Sequence, residues 1–321
     1  MASITVYGPV RLGDPAVIVH GGAGGWRGIS RIEEALGAVR AGAAAGLHYA
    51  RKGVLEAVVE AVAALEDSGV LNAGIGSILT YDGRVEMDAG VMTDAMQAGG
   101  VAVVAYPRNP VRLAAYVARE LPHVLLAGPA ADELAQRLGL EKHPGPSPHA
   151  LERWKTLREK LRSGEGPSWA RAIYELYGDT VGAVVLSAGR LAASASTGGI
   201  VLKHAGRIGD SPVPGAGFYV ERGVGGCSAT GIGETILLGR PCVYAVELIA
   251  EGVPVEEAAR AAVARHTQLF GNDNLGIIVL DAEGYAAAAM NTQGMPIAVA
   301  GQLKPNVEPL MLWKGGKEAE R

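Results

Sequence analysis

The pattern of apolar and polar positions divides the chain into short buried strands and longer amphipathic helices. Residues 16–20 form an uninterrupted apolar run of strand length that ends in a glycine-rich loop. Residues 78–81 and 84–87 flank Asp82-Gly83, a pair typical of a β-hairpin turn. Further apolar runs predict strands at residues 99–105, 181–186, 191–196, 275–280 and 285–290, with a hairpin turn at 281–284.

Apolar residues that recur every three to four positions predict helices between these strands. The predicted helices lie at residues 31–52, 54–67, 110–120, 130–138, 234–238, 243–251 and 255–269. Strand groups that are separated by helices in this way favour an α+β fold. In such a fold, helices cover sheets that contain antiparallel hairpins.

The polar segment in the middle of the chain has a different character. Residues 143–148 alternate proline with other residues and cannot continue a helix or a strand ladder. The charged residues 151–162 predict a solvated helix, and residues 169–177 predict a short one. We interpret this region as an exposed connection between two strand-rich parts of the chain.

Composition narrows the possible functions. With 321 residues and 49% hydrophobic content, the chain can bury a large core as one domain or two. Its net charge of −4 comes without the basic stripe that nucleic-acid binding requires, which favours small-molecule chemistry. No apolar run is long enough to cross a bilayer, and the first residues lack a signal-peptide pattern, so we expect a soluble, cytoplasmic protein.

The two cysteines, Cys227 and Cys242, show neither a Cys-x-x-Cys spacing nor a neighbouring histidine cluster. Such isolated cysteines are typical of small buried side chains. We therefore expect neither a disulfide nor a zinc site.

Thr180 stands where the polar segment meets a buried strand. Cleavage of the bond between Asp179 and Thr180 would create an N-terminal threonine, whose hydroxyl is a nucleophile and whose α-amine can act as its base. The hydroxyl would first attack the Asp179 carbonyl, and water would then separate the two pieces. The amine, with a reference pKa of about 7.7–8.0, suits proton transfer near neutral pH. The alternative is a β-branched residue that only begins a strand.

Two later segments also place polar side chains at turns. Thr197, in Ser-Thr-Gly-Gly, is either a hydrogen-bonding partner of Thr180 or an ordinary side-chain turn, which is the simpler interpretation of the sequence alone. Arg207 and Asp210 lie three residues apart between glycines. They form either a clamp for the α-carboxylate and α-ammonium of an amino acid, or a surface ion pair.

A third segment, at Thr230 and Gly231, directly precedes a predicted helix. Donors there can converge on the oxyanion that develops when a carbonyl is attacked, although Thr230 can equally be a helix cap.

The glycine loop that begins at His20 has the composition of an anion nest. No phosphate-binding motif follows it, so packing beneath a site explains the loop better. Glu86 and Asp88 lack a metal-ligand partner at a suitable spacing, and we interpret Asp88 as a buried, hydrogen-bonded carboxylate.

Taken in order, Thr180 and the segments 196–199, 206–212 and 229–234 resemble the plant-type L-asparaginase and isoaspartyl peptidase family of N-terminal-nucleophile hydrolases. The resemblance extends from residues 20–24 through 72–76 to 291–295. It implies a single domain with an αββα sandwich, in which two stacked, mainly antiparallel sheets are covered by helices. The chain departs from many relatives at Ala229 and Ile232, where they have glycine and threonine.

The resemblance also implies self-cleavage into an α subunit, 1–179, whose residues from about 141 to 178 form a mobile linker, and a β subunit, 180–321. Two cleaved αβ units then form a heterotetramer. The implied reaction is hydrolysis of a β-aspartyl amide, in L-asparagine or a β-aspartyl dipeptide, through a threonine acyl-enzyme without an organic cofactor.

Roles for individual residues follow from the same resemblance. The catalytic residues would be Thr180, Thr197, Thr230, Gly231 and Asn72. Substrate would be bound by Arg207, Asp210, Thr230 and Gly231. Backbone carbonyls of one loop would hold a structural sodium ion at Leu65, Glu66, Ser68, Leu71, Ala73 and Ile75.

Three other functions remain compatible with the sequence. A glycosylasparaginase would use the same scissile pair, Asp179 and Thr180. A small-molecule phosphotransferase would use the glycine loop at 20–25, and an uncleaved binding protein would have the same fold. The preference between asparagine and isoaspartyl dipeptides depends on loops that the sequence does not place.

Overall fold

A computed structural model describes residues 4–26, 31–163 and 180–315. In these ranges the chain has the predicted α+β organisation, with two β-sheets and helices packed against them. The strands are β1 Thr5–Arg11, β2 Ala16–His20, β3 Met87–Thr93, β4 Ala98–Val104, β5 Leu125–Ala127, β6 Val181–Ser187, β7 Arg190–Thr197, β8 Phe218–Glu221, β9 Gly225–Gly231, β10 Leu275–Asp281, β11 Tyr285–Met290, β12 Gly294–Gly301 and β13 Lys304–Trp313. The helices are α1 Ile32–Tyr49, α2 Val54–Glu66, α3 Pro110–Glu120, α4 Gly128–Arg137, α5 Pro148–Arg162, α6 Gly233–Gly239, α7 Pro241–Ala250 and α8 Val255–Phe270.

The larger sheet has eight strands in the order β13-β12-β2-β6-β7-β3-β4-β5, and the smaller has five in the order β1-β11-β10-β9-β8. Their strand pairs are antiparallel except for β4 and β5, which are parallel. Strands from both sides of residue 179 alternate in the larger sheet, because β2 lies between β6 and β12. The two parts of the chain therefore build one body.

Apolar clusters hold these layers together. One cluster joins the facing sides of the two sheets, with Ile18, Val184 and Ile278 among its members. A second joins α1, α2 and α3 to the larger sheet, and a third joins α7 and α8 to the smaller one. Full burial of each such aliphatic side chain contributes about 1.5–3 kcal/mol.

Small residues let the two sheets approach closely. A Cβ atom on Gly226 of β9 would lie 2.7 Å from Val220 Cγ1 and 2.9 Å from Val184 Cγ1 of the facing sheet. Bulkier residues would force the sheets apart, since packed interiors leave little free space. The glycine- and alanine-rich composition of β9 thus follows from its place between layers.

The predicted hairpin at 78–87 is wrong in part. The Asp82-Gly83 turn forms, but only the pair Leu79 and Val85 bridges the two arms. Met87 instead begins β3, which pairs with β4 and β7 and was not predicted. Polar Asp88 and glycine interrupt the apolar pattern of this strand, so its periodicity is weak.

The segment from 141 to 163 packs against the domain. Helix α5 begins at Pro148, where proline is tolerated at the first helical position, and Ser147 caps it by accepting from the Ala150 amide at 3.1 Å. Its face with Trp154, Leu157 and Leu161 packs on Ile78, Val201 and Leu202. The helix is therefore partly buried rather than fully solvated as predicted. The rest of the predicted linker, the predicted helix at 169–177 and Asp179 lie outside the described residues.

The prediction for the cysteines is wrong. Cys227 of β9 and Cys242 of α7 are both buried, and a disulfide joins them with a Cα–Cα distance of 5.1 Å. The chain leaves β9, forms α6 and returns along α7, which brings together two residues 15 apart. The spacing of the two cysteines in the sequence did not predict that the chain returns to β9 along α7. None of the described helices is long and apolar enough to cross a membrane.

Candidate active site

Thr180 lies immediately before β6 and is only 4% exposed. In the pairing of β6 with β7, Val181 stands opposite Ser196, so one further step in register sets Thr180 opposite Thr197. The Thr197 hydroxyl accepts the Gly199 amide at 2.9 Å, which is the expected side-chain turn. The Thr197 hydroxyl therefore forms the side-chain turn, and its hydrogen bond to Thr180 stays a prediction; the two threonines lie at the same end of the larger sheet.

Asn72 fixes the turn that follows Thr197. Its Nδ2 donates to the Gly199 carbonyl at 2.7 Å, and its backbone carbonyl accepts the Gly198 amide at 3.0 Å. Its Oδ1 accepts the Ile78 amide at 3.0 Å. Asn72 thus supports the turn after Thr197, while its predicted catalytic role stays a prediction.

Thr230 lies within β9, fully buried, rather than at a helix terminus. Its hydroxyl oxygen accepts the backbone amide of Ala23 at 3.1 Å, which brings the glycine loop after β2 to this residue. Because β2 pairs with β6, the contact lies at the end of the larger sheet where Thr180 precedes β6. The alternative of a helix cap does not apply, since the cap residue of α6 is Ile232.

Arg207 and Asp210 face the start of α6. Arg207 donates from Nε and Nη2 to the two carboxylate oxygens of Glu234, at 2.8 and 2.9 Å. A Cβ atom on Gly233 would lie 2.6 Å from Arg207 Nη2 and 2.8 Å from Asp210 Oδ1, so the turn lies against the segment that contains Gly231. The pair Arg207 and Asp210 is therefore not an isolated surface ion pair.

The Arg207–Glu234 pair is partly desolvated. Burial lowers the pKa of Arg207, but the hydrogen bonds and charge of Glu234 outweigh it and raise that pKa above its ordinary value. Burial raises the pKa of Glu234, and Arg207 reverses the shift so that the pKa is lowered. Both groups are charged, and Glu234 was not among the predicted site residues.

Asp210 is buried, and its Oδ2 has no hydrogen-bond partner among the described residues. Burial raises its pKa to about 7, although the charge of Arg207 opposes the shift. A buried carboxylate oxygen that lacks a partner is strongly unfavourable unless a ligand satisfies it. Asp210 is thus suited to accept hydrogen bonds from a bound ammonium group.

A buried histidine connects three strands beneath Thr180. His20 Nε2 lies 3.1 Å from Ser228 Oγ of β9, which in turn donates to the Ser194 carbonyl of β7 at 3.0 Å. Burial lowers the pKa of His20 to about 3, and the adjacent Thr180 main chain offsets only part of the shift. The imidazole is therefore neutral near pH 7. This contact was not predicted from the sequence.

The predicted sodium loop is a tight turn after α2. The Leu65 carbonyl accepts from Ser68 Oγ at 2.7 Å, and the Leu71 and Ala73 carbonyls accept backbone amides at 2.9 and 3.1 Å. Neutral carbonyl oxygens in such a turn are a donor set that suits a hard cation. The neighbouring Glu66 is fully buried and accepts from Ser196 Oγ at 2.6 Å. The described residues contain no cluster of three or more His, Cys, Asp or Glu side chains for a metal.

Known proteins of one family are similar to this chain over most of its length. A family model described as Asparaginase matches residues 13–307. A plant-type L-asparaginase of Pyrococcus horikoshii is 39% identical over 291 residues, which cover 88% of this chain and 95% of that protein. A plant-type L-asparaginase of Pyrobaculum calidifontis is 43% identical over 286 residues, which cover 87% of this chain and 94% of that protein. A human isoaspartyl peptidase/L-asparaginase is 38% identical over 307 residues, which cover 92% of this chain and 97% of that protein.

Proposed function

Because the chain belongs to the asparaginase family, we propose that it is a self-cleaving hydrolase of β-aspartyl amide bonds with Thr180 as its nucleophile. Membership of the family indicates a hydrolase that acts on asparagine or isoaspartyl bonds. The observation that carries the finer proposal is the register of β6 and β7, whose continuation by one residue beyond Val181 and Ser196 would set Thr180 opposite Thr197. The contact of Thr230, in the smaller sheet, with Ala23 in the loop after β2 supports it.

The first step would be cleavage of the chain itself. The Thr180 hydroxyl attacks the carbonyl carbon of Asp179, and the peptide nitrogen leaves as the new α-amine while an ester forms. Water then hydrolyses the ester and restores the hydroxyl. Since Thr180 is 4% exposed in the single chain, we propose that cleavage precedes entry of the substrate.

In turnover, the freed amine accepts the hydroxyl proton as Thr180 attacks the side-chain carbonyl of the substrate. Thr230 accepts the Ala23 amide, so its own hydroxyl proton is free to point at the oxyanion, together with a donor from Gly231. Ammonia or an amino acid leaves with a proton, and an ester to Thr180 remains. Water hydrolyses that ester and releases L-aspartate.

The substrate would be held by its amino-acid end. Arg207 pairs with the α-carboxylate, although the Arg207 Nε and Nη2 donors bind the Glu234 carboxylate in the free protein. Asp210 accepts from the α-ammonium. The leaving group is not fixed by these contacts, so L-asparaginase and β-aspartyl dipeptidase activities are both expected.

The proposal extends to the assembly. The two packed sheets with helices outside them would be the αββα sandwich of N-terminal-nucleophile hydrolases. Two cleaved αβ units would form a dimer. The carbonyls of Leu65, Glu66, Ser68, Leu71, Ala73 and Ile75 would hold a structural sodium ion. That ion would stiffen the turn beside Asn72 without taking part in the reaction.

The intact mass of purified protein tests the nucleophile. Wild type is expected to give two polypeptides that meet between Asp179 and Thr180, and Thr180→Ala to give one inactive chain. Thr180→Ser, which keeps a hydroxyl and an amine, is the control and should cleave more slowly. A wild-type chain that stays whole while hydrolysing L-asparagine would refute the proposal. Release of product from β-Asp-Leu and from GlcNAc-Asn separates the dipeptidase from a glycosylasparaginase.

A further inference from the structure

We propose that Glu86, Asp88 and Lys203 form a buried network that positions the substrate-binding turn at residues 206–210. The inference rests on the proposed function, because it assumes that Arg207 and Asp210 bind the amino-acid end of the substrate. No described contact joins any of the three residues to Thr180. They are therefore positioning residues.

Two carboxylates hold the two ends of the turn. Glu86, immediately before β3, accepts the Gly206 amide at 2.8 Å through Oε2. Asp88, within β3, accepts the Gly209 amide at 3.5 Å through Oδ2, at the long end of hydrogen bonding. Arg207 lies between these two attachment points. The turn is thus anchored to one strand on both sides of the residue that would bind the α-carboxylate.

Asp88 is fixed in turn by the strand next to it. Its other oxygen, Oδ1, accepts the Val103 amide at 2.8 Å. A carboxylate accepts two such bonds, whereas an asparagine offers one oxygen and would direct its NH₂ group at one of the two amides. The position therefore requires an acid rather than a polar isostere.

Lys203 supplies the opposing charge. It is 1% exposed, and its Nζ donates to the Glu86 carbonyl at 2.8 Å. Burial lowers the pKa of Lys203, and the charge of Asp88 opposes that shift. Burial likewise raises the pKa of Asp88, opposed first by Lys203. Each charge offsets the burial of the other, so loss of one leaves the other uncompensated.

Lys203 also touches the turn after Thr197. A Cβ atom on Gly199 would lie 2.8 Å from Lys203 Nζ, so the ammonium group packs directly on this turn. The network therefore joins the turn beside the proposed nucleophile to the turn that would bind substrate. It sets the distance between them through three side chains rather than through contact with the ligand.

The test is the binding of the product L-aspartate to Asp88→Asn and Glu86→Gln, measured by calorimetry, with kcat and KM for L-asparagine. A displaced turn should raise both Kd and KM about tenfold, the cost of a charge-assisted hydrogen bond, and lower kcat much less. The chain should still cleave itself. Asp82→Asn, which alters an exposed carboxylate of the same segment, is the control and should leave Kd unchanged.

Wild-type Kd and KM in both variants would overturn the proposal. If Asp88→Asn does not fold, Asp88→Asn/Lys203→Met removes both buried charges and should restore a cooperative thermal transition, while Kd remains raised. A double variant that folds and binds L-aspartate as wild type does would also overturn it. Failure of the proposed function is a separate result, visible as a wild-type chain that neither cleaves nor hydrolyses L-asparagine.

Discussion

At the scale of single residues, the proposed role of Asp210 as the partner of the substrate's α-ammonium group predicts that binding depends on pH. Its pKa of about 7 in the free protein means that protons compete with a ligand's ammonium group for the same carboxylate. The affinity for L-aspartate should therefore fall as pH falls through 7, by about tenfold between pH 8 and pH 6. Calorimetry across this range measures it.

Asp210→Asn provides the control for this pH dependence. The variant should bind L-aspartate weakly, and its affinity should not change over the same range. A wild-type affinity that stays constant from pH 8 to pH 6 would show that the carboxylate is already ionised at pH 6.

Gly182, two residues after Thr180, is expected to tolerate no side chain. A Cβ atom there would collide with Ser228 Oγ and His20 Nε2 between the sheets. Gly182→Ala should therefore destabilise the protein by about 1–3 kcal/mol, measured by chemical unfolding. Gly37→Ala is the matched control, because that exposed helical glycine has open space around it. Alanine there should raise the free energy of unfolding by about 0.5–1 kcal/mol. Equal effects of the two substitutions would contradict this account.

At the scale of elements, the turn after Thr197 depends on Asn72. Asn72→Ala removes the bonds to Ile78 and Gly199 and leaves a buried carbonyl unsatisfied, which costs about 1–3 kcal/mol. We expect slower self-cleavage and a lower kcat, with KM nearly unchanged because Arg207 and Asp210 are not touched. Time courses of intact mass and initial rates measure both. Asn306→Ala, on the exposed strand β13, should change neither; a Tm and kcat equal to those of wild type in Asn72→Ala would refute the assignment.

The sequence predicted those elements whose apolar pattern is strong. Strand β2 and helix α3 have the predicted bounds, because the first is a continuous apolar run and the second begins with proline and keeps its helical period. Strand β9 was missed because glycines needed for close packing of the sheets remove its apolar signal. Strand β12 was missed because Pro296 interrupts it.

From the residues alone, the candidate site was predictable only where its members are close in sequence, and the family resemblance supplied the more distant ones. Arg207 and Asp210 are visible together because glycines bound a short turn. Glu234, the partner of Arg207, lies 27 residues away, and Ser228 lies 208 residues from His20. Contacts of this kind arise from the packing of sheets, and the spacing of residues along the chain does not predict them.

At the scale of the whole molecule, strands from both sides of residue 179 alternate in the larger sheet. Strand β2 pairs with β6 and β12, and β3 pairs with β7. The two pieces of a cleaved chain should therefore stay together and elute as one species in size-exclusion chromatography, separating only in denaturant. Electrophoresis of each fraction checks this. Elution of the pieces apart under native conditions would show that the sheet does not hold them.

Because of this alternation, the proposed cleavage of one peptide bond would change how the protein refolds. Before the cut, β2 finds β6 within the same polypeptide, and refolding is a first-order reaction. Afterwards the two strands belong to different molecules, so refolding of a denatured sample is second order and its yield depends on concentration. The active form would thus be kept by its kinetic barrier to unfolding, and a lost molecule would be replaced by synthesis of a new chain rather than by repair.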